Sequence, residues 1–243
     1  SDLHNAGMLL GDINGGNFLV GRSTDGKLDP GLVYCVDIDS AQFGTARTGL
    51  YAPDGLTLEY ASPEVLVGGA NSATLRTIES ERFSLALFAL QVVLCGIHPY
   101  RARRNSEEEA DISLPEAIVA QQFPFSSGED RRSGISPSGA EKLWSNMNGP
   151  LKKFFYDILQ KDRPLNAPQA RPKAHELAGK LDYYASWVAD EANLLKYPEL
   201  RSVAPANLKP FYAKCANTAC ARRDEPFNVS LGLRWQDGWL CPD

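Results

Sequence analysis

The sequence of 243 residues has few of the features that would place it in a membrane or on nucleic acid. No apolar run approaches the roughly 20 residues needed to span a bilayer. The first residues lack the charged start, apolar middle and small-residue site of a signal peptide. The net charge is −5 and the isoelectric point about 5.3, so there is no basic excess to attract nucleic acid or anionic lipid. We therefore expect neither nucleic acid nor a membrane as a partner.

The five cysteines favour a reducing, cytoplasmic location over a secreted disulfide scaffold. Cys35 and Cys95 lie in apolar runs, where we expect buried thiols. Cys215, Cys220 and Cys241 lie close together near the C-terminus. A cysteine pair on one turn and a Cys-Pro on a second turn is how zinc ribbons arrange their thiolates, so these three cysteines are predicted ligands of Zn²⁺. The alternative is a tail with free thiols.

The composition, 43% hydrophobic and 23% charged, is that of an ordinary globular protein with one sizeable core. We expect this core within residues 1–193, a proline-punctuated linker at 194–210 and a zinc-ribbon-like tail at 211–243. The tail holds only three of the four thiolates of a ribbon, so its fourth ligand is expected just past Asp243.

The stretch at residues 9–20 predicts the end of a helix, a tight polar loop and a short apolar strand. A second apolar run at 32–36 follows a turn-rich connector, so the two runs predict a β-hairpin. Asp12 and Asn17 lie in the loop, and Asp37 follows the second run. Carboxylate and amide oxygens at such positions can hold Mg²⁺ on nucleotide phosphates while the other carboxylate orients a hydroxyl. Solvated turns rich in Asp, Asn and Gly are the alternative.

Most of the remaining chain predicts helices. Residues 81–96 are apolar all round, which indicates a buried helix that Gly96 ends. Residues 149–160 and 174–192 have the 3.6-residue period of amphipathic helices. A short helix is predicted at 115–122, with loops at 101–111 and 123–139. The predicted fold class is mainly α with a small β-hairpin.

Several motifs in a fixed order resemble those of protein kinases. Asp12 and Asn17 are spaced as in the kinase catalytic loop, and Asp37 resembles the metal-binding Asp of the next segment. Residues 57–64, Thr-Leu-Glu-Tyr-Ala-Ser-Pro-Glu, resemble the segment that closes the kinase activation loop. Residues 171–177, Arg-Pro-Lys-Ala-His-Glu-Leu, resemble a motif far along the kinase chain. Residues 98–100, His-Pro-Tyr, follow the apolar helix where kinases often carry a similar tripeptide.

The resemblance implies that residues from about 3 to 185 form the C-terminal lobe of a eukaryotic-like Ser/Thr protein kinase, with ATP and Mg²⁺ as cofactors and a protein as substrate. It implies that Asp12 is the general base, that Asn17 and Asp37 are magnesium ligands, and that Asp39 is a possible second metal ligand. It also implies that Thr57 supports Asp12 and that Glu64 forms an ion pair with Arg171. Glu81 is expected to accept hydrogen bonds from the catalytic-loop backbone.

Other features of the sequence depart from the kinase pattern. Leu10-Gly11 stands where kinases have His-Arg, so control by an activation-loop phosphate has no arginine partner there. Asn14 replaces the lysine that steadies the transferring phosphate. No glycine-rich phosphate loop or strand lysine is present, so the lobe that clamps ATP is absent from this chain. Since both lobes normally position the phosphates, we expect the chain alone to be inactive.

Residues 11–14, Gly-Asp-Ile-Asn, residues 37–40, Asp-Ile-Asp-Ser, and the His-Pro-Tyr tripeptide more narrowly resemble bacterial stand-alone signalling kinases, some of which carry a C-terminal zinc ribbon. This resemblance implies a phosphatase and a von Willebrand A-domain protein as partners. The sequence leaves two other functions open: a pseudokinase scaffold that binds proteins without catalysis, and a zinc-ribbon module that recognises proteins.

Overall fold

A computed structural model describes most of the first 196 residues and four short pieces beyond them. The described residues are 2–22, 28–45, 49–50, 55–69, 76–104, 112–125, 135–137, 140–196, 212–213, 227–228, 233–235 and 238–240. The helices are α1 (Asp2–Asn5), α2 (Pro63–Val67), α3 (Ile78–Val93), α4 (Leu114–Val119), α5 (Glu141–Asn146), α6 (Gly149–Leu159), α7 (Ala174–Ala189) and α8 (Glu191–Lys196). Short 3-10 turns lie at Gly15–Asn17, Ile38–Ser40, Leu58–Tyr60 and Pro168–Ala170.

The described strands form separate antiparallel pairs. They are β1 (Phe18–Arg22) with β2 (Leu28–Cys35), β3 (Gly44–Thr45) with β4 (Gly49–Leu50), β5 (Ala102–Arg104) with β6 (Ile135–Pro137), β7 (Tyr212–Ala213) with β8 (Phe227–Asn228), and β9 (Leu233–Trp235) with β10 (Gly238–Leu240). The protein is therefore mainly helical with a small two-stranded hairpin, as the sequence predicts. Within the described ranges, no helix is both long and apolar enough to cross a bilayer.

Helix α3 is the centre of the hydrophobic core and packs against α6 and α7. It begins at a capping box, in which the Thr77 hydroxyl accepts from the Ser80 amide at 3.1 Å and the Ser80 hydroxyl accepts from the Thr77 amide at 3.0 Å. The largest fully buried side chains are Tyr100, Phe83, Phe123, Phe155, Leu87, Leu90, Leu94, Ile118, Leu151, Ile158 and Leu159. Burial of this apolar surface is the main contribution that holds the body together.

Local capping signals set the start of two further helices. The side-chain Oδ1 of Asn148 accepts from the Leu151 amide at 2.9 Å, and α6 follows directly. The Ser113 hydroxyl accepts from the Glu116 amide at 3.4 Å, and the Glu116 carboxylate accepts from the Ser113 amide at 3.0 Å, so α4 begins at Leu114. The sequence therefore predicts these two helix starts to within a residue.

Two predictions about α3 and the cysteines are wrong. Helix α3 is not buried all round: Val92 is 58% exposed, and an open apolar groove lies between α3 and α7. The helix also ends at Val93, because Cys95 and Gly96 take left-handed conformations with φ of 54° and 89°. Cys95 is exposed on this turn, and Cys35 is exposed at the end of β2, so neither is the buried thiol expected from its apolar run.

The sequence also missed the pairing of β5 with β6. Their residues lie in segments predicted as loops, yet Arg103 pairs with Ser136 across more than thirty residues of chain. Strands of three residues have no periodic pattern to detect, and only the tertiary fold brings these two together. At the start of the chain, the helix expected through residue 10 is limited to Asp2–Asn5.

Candidate active site

The β1–β2 hairpin and the turns at its open end bring together the predicted metal ligands. Phe18 pairs with Cys35, and the Val36 amide donates to the Asn17 carbonyl at 2.9 Å, so Asn17 and Asp37 lie at the same end of the hairpin. The Phe18 ring stacks on Phe88 of α3, with centroids 5.2 Å apart. This aromatic contact fixes the hairpin on the helical body.

The Asp12 carboxylate is held by hydrogen bonds from its own loop and from Thr57, 45 residues away in sequence. Oδ1 accepts from the Thr57 amide at 2.8 Å, and Oδ2 accepts from the Thr57 hydroxyl at 3.0 Å. The side-chain nitrogen of Asn14, Nδ2, donates to Oδ2 at 2.9 Å and lies 3.2 Å from the Thr57 hydroxyl oxygen. The carbonyl oxygen of the Asn14 side chain accepts from the Gly16 amide at 2.8 Å. Asn14, which stands where kinases have lysine, is thus committed to fixing Asp12.

The two predicted magnesium ligands differ in how firmly they are held. The Asn17 amide nitrogen donates to the Asp12 carbonyl at 2.8 Å and lies 3.4 Å from Asp12 Oδ2. No hydrogen bond among the described residues uses the Asn17 Oδ1, which leaves that atom available as a ligand. Asp37 is exposed, with φ of 59° and ψ of 52°. A left-handed backbone is uncommon for a residue other than glycine and often marks a functional position.

Glu81, a residue of α3, is hydrogen-bonded to the loop that carries Asp12. Its Oε2 accepts from the Gly11 amide at 2.9 Å, the backbone contact expected from the resemblance. Its Oε1 lies 2.8 Å from the His4 Nε2, so α1 is attached to the same carboxylate. Glu81 is only 6% exposed, so both bonds are formed away from water.

The predicted contact between Glu64 and Arg171 is present across 107 residues of chain. Arg171 donates to both carboxylate oxygens, at 2.5 and 2.9 Å, and also to the carbonyls of Glu79 and Asn166. Partial burial alone would raise the pKa of Glu64, but the Arg171 hydrogen bonds and charge hold that pKa below its ordinary value. The Arg171 side chain is 1% exposed whereas that of Glu64 is 37% exposed, so the pair is buried on the arginine side only.

His98 supports the turn that follows Thr57. Its Nδ1 accepts from the Tyr100 amide at 3.2 Å, so Nε2 carries the proton and donates to the Glu59 carbonyl at 2.9 Å. Burial lowers the pKa of His98 and favours this neutral form. The Tyr60 hydroxyl donates to the Gln91 side chain of α3, so the turn is attached at two points.

The remaining predicted site residues are Asp39 and the three cysteines of the tail. Asp39 is exposed in the 3-10 turn after Asp37. Within the part of the chain that the structure describes, no three His, Cys, Asp or Glu side chains come together as a metal site. The predicted zinc ligands Cys215, Cys220 and Cys241 lie outside the described residues.

No motif of the sequence includes Arg76, which lies next to Gly11 of the Asp12 loop and is 6% exposed. Gln42 joins it to this loop: the Gln42 backbone exchanges hydrogen bonds with Leu9 at 2.9 Å, and its side chain accepts from the Arg76 amide and donates to the Arg76 carbonyl, both at 2.8 Å. Gly11, where kinases have arginine, was the one signal that could have led to Arg76.

Comparison with known proteins relates this chain to a protein kinase. It is 26% identical over 180 residues to a protein of Escherichia coli O157:H7 named protein kinase YegI, and 25% identical over 180 residues to the protein of that name in strain K12. Each alignment covers 74% of this chain and 26% of the relative, so the chain spans about a quarter of the length of the curated relatives it matches. No protein-family model matches the sequence. The chain is therefore a distant relative of a kinase.

Proposed function

We propose that the protein transfers the terminal phosphoryl group of ATP to a Ser or Thr hydroxyl of a protein, and that its helical body is the C-terminal lobe of the kinase. The observation that carries the proposal is the Asp12 carboxylate held between Thr57 and Asn14, with Asn17 and Asp37 at the same end of the hairpin. The distant relationship to a protein kinase supports the same reaction.

Asp12 is suited to orient a substrate hydroxyl through its Oδ1. Oδ2 accepts from the side chains of Asn14 and Thr57, with the Asn17 side-chain nitrogen at 3.4 Å, whereas among the described residues Oδ1 accepts only from the Thr57 amide. A carboxylate oxygen has two lone-pair directions, so Oδ1 has one left for an incoming O–H. Asp12 would accept this hydrogen bond and then the proton as the hydroxyl attacks the phosphorus.

Asn17 and Asp37 fit Mg²⁺, because a hard cation prefers amide and carboxylate oxygens and the Asn17 amide nitrogen is turned toward the Asp12 carbonyl. Bound Mg²⁺ would supply charge neutralisation on the ATP phosphates. Asp39 is the candidate for a second ligand, two residues from Asp37 in the adjoining turn. Leu19 and Val20 follow Asn17 in sequence on β1, and the aliphatic side chain of each is about half exposed.

The test is phosphate transfer by the product of the complete gene, compared with Asp12→Asn and Asp37→Asn. The Asp12 variant should lose transfer by a factor on the order of 10² to 10⁴, as loss of a general base predicts. The Asp37 variant should lose Mg²⁺-dependent nucleotide binding. Asp182→Asn, an exposed carboxylate of α7, is the matched control and should keep both activities. Transfer that persists in the Asp12 variant would refute the assignment.

A second candidate function is a scaffold that binds nucleotide or protein without transfer. Asn14 favours it, because its amide is committed to Asp12, Thr57 and Gly16 and no lysine donates to Asp12 among the described residues. The same assay separates the two functions. A folded complete protein that binds Mg·ATP without transferring phosphate, with and without the Asp12 substitution, is a scaffold.

For the tail we propose a structural Zn²⁺ ion held by Cys215, Cys220 and Cys241. In sequence, Cys215 and Cys220 lie between the paired strands β7 and β8, and Cys241 directly follows β10, which supports two cysteine-bearing turns next to short hairpins. Zinc content of the complete protein tests it. Cys220→Ser should lose the metal, whereas Cys35→Ser should retain it; a folded, metal-free protein would exclude the ribbon.

A further inference from the structure

The space next to Gly11 is filled by an arginine from another part of the chain. Gly11 has φ of 83°, and a Cβ at this position would lie 1.9 Å from the Ser40 carbonyl oxygen and 2.5 Å from Nη1 of Arg76. A side chain at position 11 is thus excluded both by its backbone conformation and by lack of room. The guanidinium that occupies this place comes from residue 76, two residues before α3 begins.

Arg76 is fixed at both ends by segments that carry residues of the site. Its backbone is held by the Gln42 side chain, and the Gln42 backbone is paired with Leu9, three residues before Asp12. Its Nη2 donates to the Gly55 carbonyl at 2.5 Å, two residues before Thr57. The Thr57 amide in turn donates to Asp12 at 2.8 Å, so Arg76 is connected to the proposed general base through the Gly55–Thr57 segment.

The charge of Arg76 is unusually poorly satisfied. The residue is 6% exposed, and among the described residues its Nε and Nη1 have no hydrogen-bond partner. Burial lowers its pKa, and the negative charges of Asp12 and Glu81 act in the opposite direction. A buried cation with one side-chain hydrogen bond costs stability, and an apolar side chain of similar length would fill the space at less cost. The guanidinium must therefore contribute something that packing alone does not.

We propose that Arg76 is a positioning residue for the Asp12 carboxylate: it supplies, from two residues before α3, the cation that fixes the Asp12 loop and the Thr57 segment relative to each other. The proposal rests on the proposed phosphoryl transfer for its kinetic consequence. Its structural consequence, the order of the Gly11 and Thr57 backbone, does not depend on that function.

The experiment compares Arg76→Met, which removes the charge, with Arg76→Lys, which keeps the charge but loses the fork that reaches Gly55. Arg82→Met is the matched control, because Arg82 lies in the first turns of α3, also has a buried Nε without a described partner, and has no described bond to the Asp12 loop. The complete gene product is used. Two assays are run: steady-state kinetics, which give kcat and KM for phosphate transfer, and hydrogen exchange of peptides containing Gly11 and Thr57.

Arg76→Met should lower kcat on the order of 10- to 100-fold with little change in KM for ATP, since misplacement of a reacting group affects the transition state. Exchange at the Gly11 and Thr57 amides should rise roughly tenfold, as loss of one charge-assisted hydrogen bond implies, while α6 keeps its protection. Arg76→Lys should lie between wild type and Arg76→Met in both measurements, and Arg82→Met should match wild type.

The proposal is overturned if Arg76→Met folds with wild-type kcat and wild-type exchange at both amides. It is also overturned if Arg82→Met loses as much, because the effect would then be one of general stability. Should Arg76→Met not fold, Arg76→Lys decides: unchanged kcat and exchange in that variant reject the role of the guanidinium. If the wild-type protein transfers no phosphate, the proposed function fails, and the exchange comparison alone decides whether Arg76 positions the loop.

Discussion

Arg171 and Glu64 form one ion pair, but removing Arg171 should destabilise the protein more than removing the Glu64 carboxylate. Arg171 is buried and donates to four oxygen atoms, two of them on Glu64, and its guanidinium carbon lies 5.1 Å from the centre of the Phe83 ring. Glu64 is 37% exposed on its side chain, so water can replace Arg171 around its carboxylate. Removing the arginine therefore leaves more unsatisfied atoms than removing the carboxylate does.

The expected magnitudes follow from this asymmetry. Arg171→Met deprives two backbone carbonyls of their donor and also removes the stacking on Phe83, so we expect it to cost about 3–4 kcal/mol of unfolding free energy. Glu64→Gln keeps one acceptor and leaves Arg171 bonded to the carbonyls, so its cost should be about 1–2 kcal/mol. The double variant should resemble Arg171→Met alone, which gives a coupling energy of about 1–2 kcal/mol.

The assay is urea unfolding followed by tryptophan fluorescence, with all four proteins of the cycle measured at pH 7 and again at lower pH. Since the folded-state pKa of Glu64 lies below its ordinary value of 4.5, the coupling should be complete above that pH and decline as the pH falls further. Additive single effects at pH 7, with a coupling below about 0.3 kcal/mol, would show that the contact behaves as an exposed ion pair and would refute the reasoning.

Three further predictions concern packing and protonation. Because burial depresses the pKa of His98 below its ordinary value of 6.5, stability should be complete above that pH and fall as the pH drops below it; His98→Asn should flatten this part of a pH series of melting temperatures. Phe155→Ala should cost about 3–5 kcal/mol in urea unfolding, since the side chain is fully buried, and a cost below 1 kcal/mol would contradict its place in the core. Gly11→Ala should destabilise the protein far more than Gly7→Ala, because both have positive φ but only Gly11 has neighbours within 4 Å of an added Cβ; the Gly7 variant should cost about 1–2 kcal/mol, and equal melting temperatures for the two variants would disprove the close approach at Gly11.

Much of the local structure could be predicted because its causes lie within a few residues. Two helices start with hydrogen bonds between near neighbours, Ser113 with Glu116 and Asn148 with Leu151. Such signals can be recognised from the sequence alone. The β1–β2 hairpin follows in the same way from two apolar runs joined by a turn-rich connector. The order of the kinase-like motifs further led to the pairing of Glu64 with Arg171, which no local signal contains.

The rest was decided by segments that meet only in the folded chain. Whether a side chain is exposed depends on what packs against it, so the apolar run around Cys35 was a poor guide to its burial, and Glu64 forms its ion pair partly in water. The sequence also could not show which residue packs beside Gly11. Arg76 is 65 positions away from Gly11, and the residues next to Arg76 in sequence do not indicate the contact. The sequence alone determined where α4 and α6 begin and which residue types are available for chemistry, because short-range hydrogen bonding and periodicity set these. The tertiary structure alone decided which distant side chains complete the site, because long-range packing fills each space with whichever group the fold brings there.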